Sequence, residues 1–225
     1  MRAFHADPSR WLFDMTDLDG TPPAGTDLRD VDAARQAVAW ARSYLCSPHP
    51  ELGRSGRVCP FVPRSLSQSL FFCTVDRSVN VSPERIYQTT LQYRDWFLEM
   101  EPRTGADAQY KCFLLLYPDI ADTDIPSLID DTQERLKPLF VQQGLMVGQF
   151  HALPPKNSGL WNPDFRPLHS PIPMLVIRNM VPSDLPFLVS ERPFVESYLA
   201  HFGGRLSSAQ RELVTQMHPQ ILDEA

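Results

Sequence analysis

Cys112-Phe113-Leu114-Leu115-Leu116-Tyr117 decides the fold. A strand with one wet face alternates apolar and polar residues; this run has no polar break. It therefore suits a strand covered on both faces, the middle of a sheet with helices packed against it. Upstream, Ser82-Pro83-Glu84-Arg85 opens a helix, with serine as cap and proline in the first turn, where its missing N–H costs nothing. That helix is predicted to reach Met100, with Ile86, Leu91, Tyr93, Phe97 and Met100 on its apolar side. Before it, Leu70 to Val75 reads as a second strand. Downstream, a helix is predicted from Pro126 to about Gln143, with a kink or early end at Pro138. The apolar runs Leu145–Phe150 and Ile172–Ile177 follow as strands.

Near the N-terminus, Asp27 or Asp30 caps a helix over Val31 to Leu45. Its Ala34, Val38, Ala41 and Leu45 follow helical spacing, and Ser47-Pro48-His49-Pro50 stops it. Helices near 191–202 and 207–217 close the chain. This order predicts an α/β or α+β protein with a single mixed sheet of about four strands and helices packed on it. The first two strand–helix units are expected as right-handed crossovers. Residues 1–29, polar and turn-rich, are expected as an N-terminal extension that wraps the surface or frays, and 30–225 as a single catalytic domain.

Composition narrows the function classes. With 225 residues, 43% of them hydrophobic, the chain can bury a substantial core. A formal charge of −6 and the lack of any Lys/Arg block argue against a nucleic-acid groove. No apolar run approaches the roughly 18 residues a membrane span needs. The opening MRAFHADPSRW lacks an apolar signal core, so a cytoplasmic location is expected. Cys46, Cys59, Cys73 and Cys112 then read as thiols, and without a CxxC pair a structural zinc is not expected. The 22 prolines outnumber the 10 glycines and cluster in residues 48–63, 154–173 and 182–193. They predict stiff, shaped loops suited to enclosing a site. No phosphate-loop glycine motif, serine-hydrolase elbow or HExxH occurs. No HxD or HxE accompanies His151, as a non-haem iron triad would require. Asp119, Asp122, Asp124, Asp130 and Asp131 read as a solvated helix entrance rather than a magnesium site.

The chemistry concentrates in two proline-rich stretches. In Val58-Cys59-Pro60-Phe61-Val62-Pro63 the cysteine precedes a proline, an arrangement that exposes sulfur where a thiolate ligates haem iron; the plain alternative is a buried thiol. His151 closes a predicted strand and offers a ring nitrogen to a metal, unless a core hydrogen bond satisfies it. Arg64, Arg166 and Arg178 lie in or beside these segments, and forked guanidinium groups suit haem propionates or a substrate carboxylate. Phe61, Phe150, Trp161 and Phe165 are candidate walls for a flat cofactor. His169, Asp164 and Asn162 are candidates for orienting substrate or moving protons.

The runs HPELGRSGRVCPFVPRSL, GLMVGQFH and GLWNPDFRPLHSPIPMLVIRNMVPSDLPFL resemble a bacterial domain family of unknown function found in biosynthetic clusters; the resemblance spans roughly residues 30–200. More distantly, the layout is similar to that of the YqcI/YcgG-type haem proteins, some of which N-hydroxylate a guanidino group. The shared layout is a proline–cysteine motif before the first strand, a later histidine, and an arginine-bearing loop before a final strand. Here the proline follows Cys59 instead, and the loop spacing differs. The resemblance implies a haem-dependent oxidoreductase of specialised metabolism acting on a nitrogen-bearing small molecule. Iron would sit on His151, with Cys59 as rival, and Arg166 and Arg178 would pair with the propionates or a substrate carboxylate. The competing expectation is a cofactor-free binding or acid–base protein acting with a biosynthetic enzyme, in which His151 and Arg166 take a carboxylate or phosphate directly. The expected partner is a small molecule, with neither nucleic acid nor membrane, and a homodimer is left open.

Overall fold

The computed structural model describes residues 1–222 apart from 6, 23, 79–80, 157–161 and 163. Strands β1 (Arg2–Phe4) and β2 (Asp7–Leu12) form a hairpin. Helix α1 (Met15–Asp19) follows, its start fixed by a reciprocal Asp14/Asp17 capping box. Helix α2 (Leu28–Trp40), capped by Asp27, widens into a π-turn over Ala41–Leu45. A short helix α3 (Val62–Ser67) leads to β3 (Phe71–Val75), α4 (Pro83–Glu99) and β4 (Cys112–Leu116). A π-turn over Pro126–Asp130 runs into α5 (Asp131–Val141), then β5 (Leu145–Phe150) and β6 (Met174–Asn179). Helices α6 (Arg192–Phe202) and α7 (Ser208–Met217) end the fold.

The expected mixed four-stranded sheet is present, in the order β3-β4-β6-β5. β3 and β4 are parallel, with α4 connecting them, and β6 is antiparallel to both β4 and β5. The run that decides the fold is therefore an interior strand, buried along its whole length. The last strand begins two residues later than its apolar run suggests. Pro171 and Pro173 cannot donate ladder hydrogen bonds, and Pro173 C=O instead accepts from Tyr117 N–H.

Period-two alternation divides the sheet into two packed faces. Phe71, Cys73, Val75, Cys112, Leu114, Leu116 and Met174 face α2 and the proline-rich loops, joined by Leu52, Val58, Phe165 and Ile172. Phe72, Phe113, Leu115, Val147, Leu175 and Ile177 face α4 and α5. There Phe113 meets the rings of Phe72, Trp96 and Phe97 edge-on; burying one such side chain stabilises the fold by roughly 1.5–3 kcal/mol. A third apolar cluster ties α6 and α7 to Val141 beside β5.

The N-terminal segment differs from its sequence expectation. Leu12 and Phe13 are fully buried, and Phe13 exchanges both backbone hydrogen bonds with Cys73 (2.7 and 3.0 Å), extending β2 onto the free edge of β3. Phe4 stacks on Trp96. The apolar Trp-Leu-Phe at 11–13 carries this outcome; its polar neighbours mask it in a windowed reading. α5 continues through Pro138 and ends at Val141, one turn later.

Candidate functional site

The residues singled out in the sequence do not meet at one place. His151 follows β5 and is buried, with Nε2 2.9 Å from Asp130 Oδ1. Leu153 N–H donates to Nδ1 (3.3 Å), which leaves the ring proton on Nε2, donated to the carboxylate. Both ring nitrogens are committed, so the residues here do not suit iron ligation by His151. Its partner Asp130 belongs to the π-turn before α5, on one side of the sheet, whereas Cys59 packs on the opposite side.

The guanidinium and polar candidates also have other work. Arg178 is held in a fork by Asp184 (2.7 and 2.6 Å), which also accepts Val181 N–H; it serves that buried carboxylate rather than a propionate. Arg64 pairs with Asp107 (3.0 Å) and lies over Tyr110, close to Phe61. Asp164 pairs with Lys156, and Asn162 ties the loop to Glu51 C=O (2.9 Å). Phe150 packs edge-on against Trp40. His169 is exposed beside Tyr44, its backbone bridged to that of His151. Arg166 is half-buried, and its carbonyl accepts from Tyr44 O–H at 3.4 Å. Trp161 lies outside the described residues. Among the described residues, no three His, Cys, Asp or Glu side chains converge as a metal site.

A different place has the shape of a site. A crevice of about 330 Å³ opens where the parallel strands β3 and β4 end, lined by residues of β2, β3, β4, α2 and α4 and the turn after β3. The carboxyl ends of parallel strands are the usual ligand position in α/β sheets, because the chain diverges there into loops and helix starts. Three arginines reach it: Arg10 from β2, Arg77 from the turn after β3, and Arg85 from the first turn of α4.

These cations differ in how fully they are engaged. Arg77 binds Asp30 (2.8 Å), Asp119 (2.5 Å) and Arg29 C=O (3.0 Å), so it locks the turn to α2. Arg85 donates to Ser78 Oγ (2.6 Å) and lies 3.6 Å from Asp76, while Ser78 in turn donates to Asp76 through both its N–H and its hydroxyl. Arg10 stands 3.6 Å from Asp7, too far for a hydrogen bond, and its buried Nε has no partner. Tyr93 O–H donates to Trp11 C=O (3.1 Å) and meets Thr74 Oγ1 (3.0 Å), fixing the hairpin against the sheet.

Tyr117 is the anomaly. Its side chain is 1% exposed, it lines the crevice, and its hydroxyl lacks a hydrogen-bond partner. Thr90 interacts with the phenol and holds it down a little against burial, while donating its own hydroxyl to Ile86 C=O (2.7 Å). A buried donor without an acceptor costs about 1–3 kcal/mol, a cost an arriving acceptor would relieve. Burial pushes both the Tyr93 and Tyr117 phenols upward, so they remain protonated donors at neutral pH. The crevice is thus walled by Tyr117, whose buried hydroxyl has no well-formed hydrogen bond, by Arg10, whose buried Nε likewise has none, and by Arg85, a cation partly balanced by Asp76. It can receive an anionic, acceptor-rich group.

Sequence reasoning missed this site because no single run contains it. The available signal was Asp76-Arg77-Ser78 directly after a buried parallel strand, the place where such folds bind ligands.

The pattern described as a domain of unknown function, DUF6875, matches residues 34–213, and the chain belongs to that family. Neither the curated proteins nor the solved structures contain a match. Among the described residues, no helix is long and apolar enough to cross a membrane.

Proposed function

We propose that the protein is a cofactor-free binder of a small molecule carrying a carboxylate or phosphate, received in the crevice at the ends of β3 and β4. The observation that carries this reading is the pair of buried donors without a well-formed hydrogen bond, the Tyr117 hydroxyl and the Arg10 Nε, on residues that line one crevice. Two donors left without acceptors in one cavity favour a ligand that supplies them. The expected anion site moves from His151 and Arg166 to Arg10, Arg85 and Tyr117. The held-neutral phenols suit recognition and orientation better than proton abstraction.

Thermal unfolding tests this with inorganic phosphate and a panel of three- to six-carbon carboxylates. A ligand present at 100 times its Kd stabilises by about 2.7 kcal/mol. The expected result is a saturable rise in Tm with at least one of them, much reduced in Tyr117→Phe. No rise with any probe, or equal rises in the two proteins, contradicts the reading. Added haemin separates the haem-dependent alternative: a strong absorption band that shifts in Cys59→Ser favours that reading instead, since Cys59 is the candidate ligand still available for iron.

A further inference from the structure

Residues 45–59 double back after α2 and bring two of the four thiols together. Val58 N–H donates to Ser47 C=O and Cys59 N–H to Leu45 C=O, both at 2.9 Å, and Pro48 pairs with Arg57 in antiparallel fashion. The two bonds fall on the residues either side of Cys46, which caps the π-turn, and so bring Cys59 against it; the two thiols lie within electrostatic reach of each other. Arg57 Nε fixes the turn further by donating to Cys46 C=O (3.1 Å). Both cysteines are half-buried, both are free thiols, and both pack against the same apolar layer. A disulfide needs Cα atoms roughly 4.4–6.8 Å apart, and the 2.9 Å bond from Cys59 N–H to the carbonyl of the residue preceding Cys46 holds the two backbones close together. Cys73 and Cys112 are different: both are buried within the sheet, and Cys112 Sγ lies 3.3 Å from Ser65 Oγ.

We propose that Cys46 and Cys59 are a redox modification site, a dithiol that closes reversibly to a disulfide. With hydrogen peroxide as oxidant, Cys59 thiolate attacks one peroxide oxygen, the O–O bond breaks, and hydroxide leaves and is protonated to water. Cys46 thiolate then attacks the resulting sulfenic sulfur, and the second oxygen leaves as water. Two thiols and one peroxide become one disulfide and two waters, each sulfur giving up one electron. Burial pushes the Cys46 thiol up, which suits it to the later, resolving step and leaves Cys59 to react first. The bond would brace the turn on which the second proline-rich loop rests: His49 stacks on Phe165, and Glu51 C=O receives Asn162. This inference is independent of the crevice.

Peptide mass mapping of the native, full-length protein after hydrogen peroxide treatment tests it. The expected result is loss of two hydrogens per chain, a linked Cys46–Cys59 peptide, and recovery of both thiols with dithiothreitol. Cys46→Ser and Cys59→Ser each abolish the link, while Cys73 and Cys112 become alkylatable only on denaturation. The mapping of unsubstituted protein is decisive even if a variant folds poorly. A Cys59–Cys112 link, a link between chains, sulfinic acid at Cys59 with Cys46 still free, or two unreacted thiols each overturns the proposal.

Discussion

At the scale of single residues, His151 shows how one side chain supports two readings until its partners are known. A histidine at the end of an apolar strand is legible in the sequence as a buried or site-facing imidazole. The identity of its partner is not, because Asp130 lies 21 residues earlier and meets it only through the packing of α5 on the sheet. The pair accounts for the histidine as a strut. Asp130→Ala removes the acceptor of a buried N–H and is expected to lower stability by about 1–3 kcal/mol. Asp130→Asn keeps an acceptor oxygen and should cost clearly less. Urea denaturation measures both; equal losses in the two variants, or none, would show that the hydrogen bond does not hold this end of β5. Tyr117 illustrates the opposite limit. Its burial is evident from the apolar run it ends, but nothing in the run reveals that its hydroxyl finds no partner.

At the scale of elements, local signals located α2, α4, α6 and α7 and the four main strands to within a few residues, because caps, prolines and continuous apolar runs act locally. The hairpin was missed because a short edge strand depends on what it pairs with. Helix α4 shows how a distant residue completes an element. Its last carbonyls are received by Lys111, which donates from its buried ammonium to Phe97 C=O (2.7 Å) and Met100 C=O and lies over the Phe97 ring. Burial pushes the Lys111 ammonium down to about 8 from its ordinary 10.5. Between those values the unfolded chain binds a proton that the folded one has released, so stability rises with pH across this window, by at most about 1.4 kcal/mol per pH unit. Lys111→Met should lose that slope while destabilising α4 at neutral pH by about 1–3 kcal/mol. Denaturant midpoints at pH 7.5, 8.5 and 9.5 for both proteins check it. Identical pH profiles would contradict the assignment.

At the scale of the whole molecule, the sheet order places the carboxyl ends of β3 and β4 beside β2 and at the N-terminal turns of α2 and α4. Arginines from β2, the turn after β3 and α4 are thereby drawn, together with Asp30, Asp76 and Tyr117, into one cavity. No windowed reading assembles residues 10, 77, 85 and 117, whereas the two proline-rich loops are contiguous and attract attention as text. Those loops brace one face of the sheet, and the cavity opens at its edge. Isothermal titration calorimetry with inorganic phosphate, on the unsubstituted protein, Arg10→Gln and Tyr117→Phe, tests the central claim most directly. The account predicts saturable one-site binding that weakens at least about tenfold in either variant, the loss expected when a charged or buried hydrogen bond to the ligand is removed. Unchanged affinity in both variants, or no saturable heat from the unsubstituted protein, would contradict it.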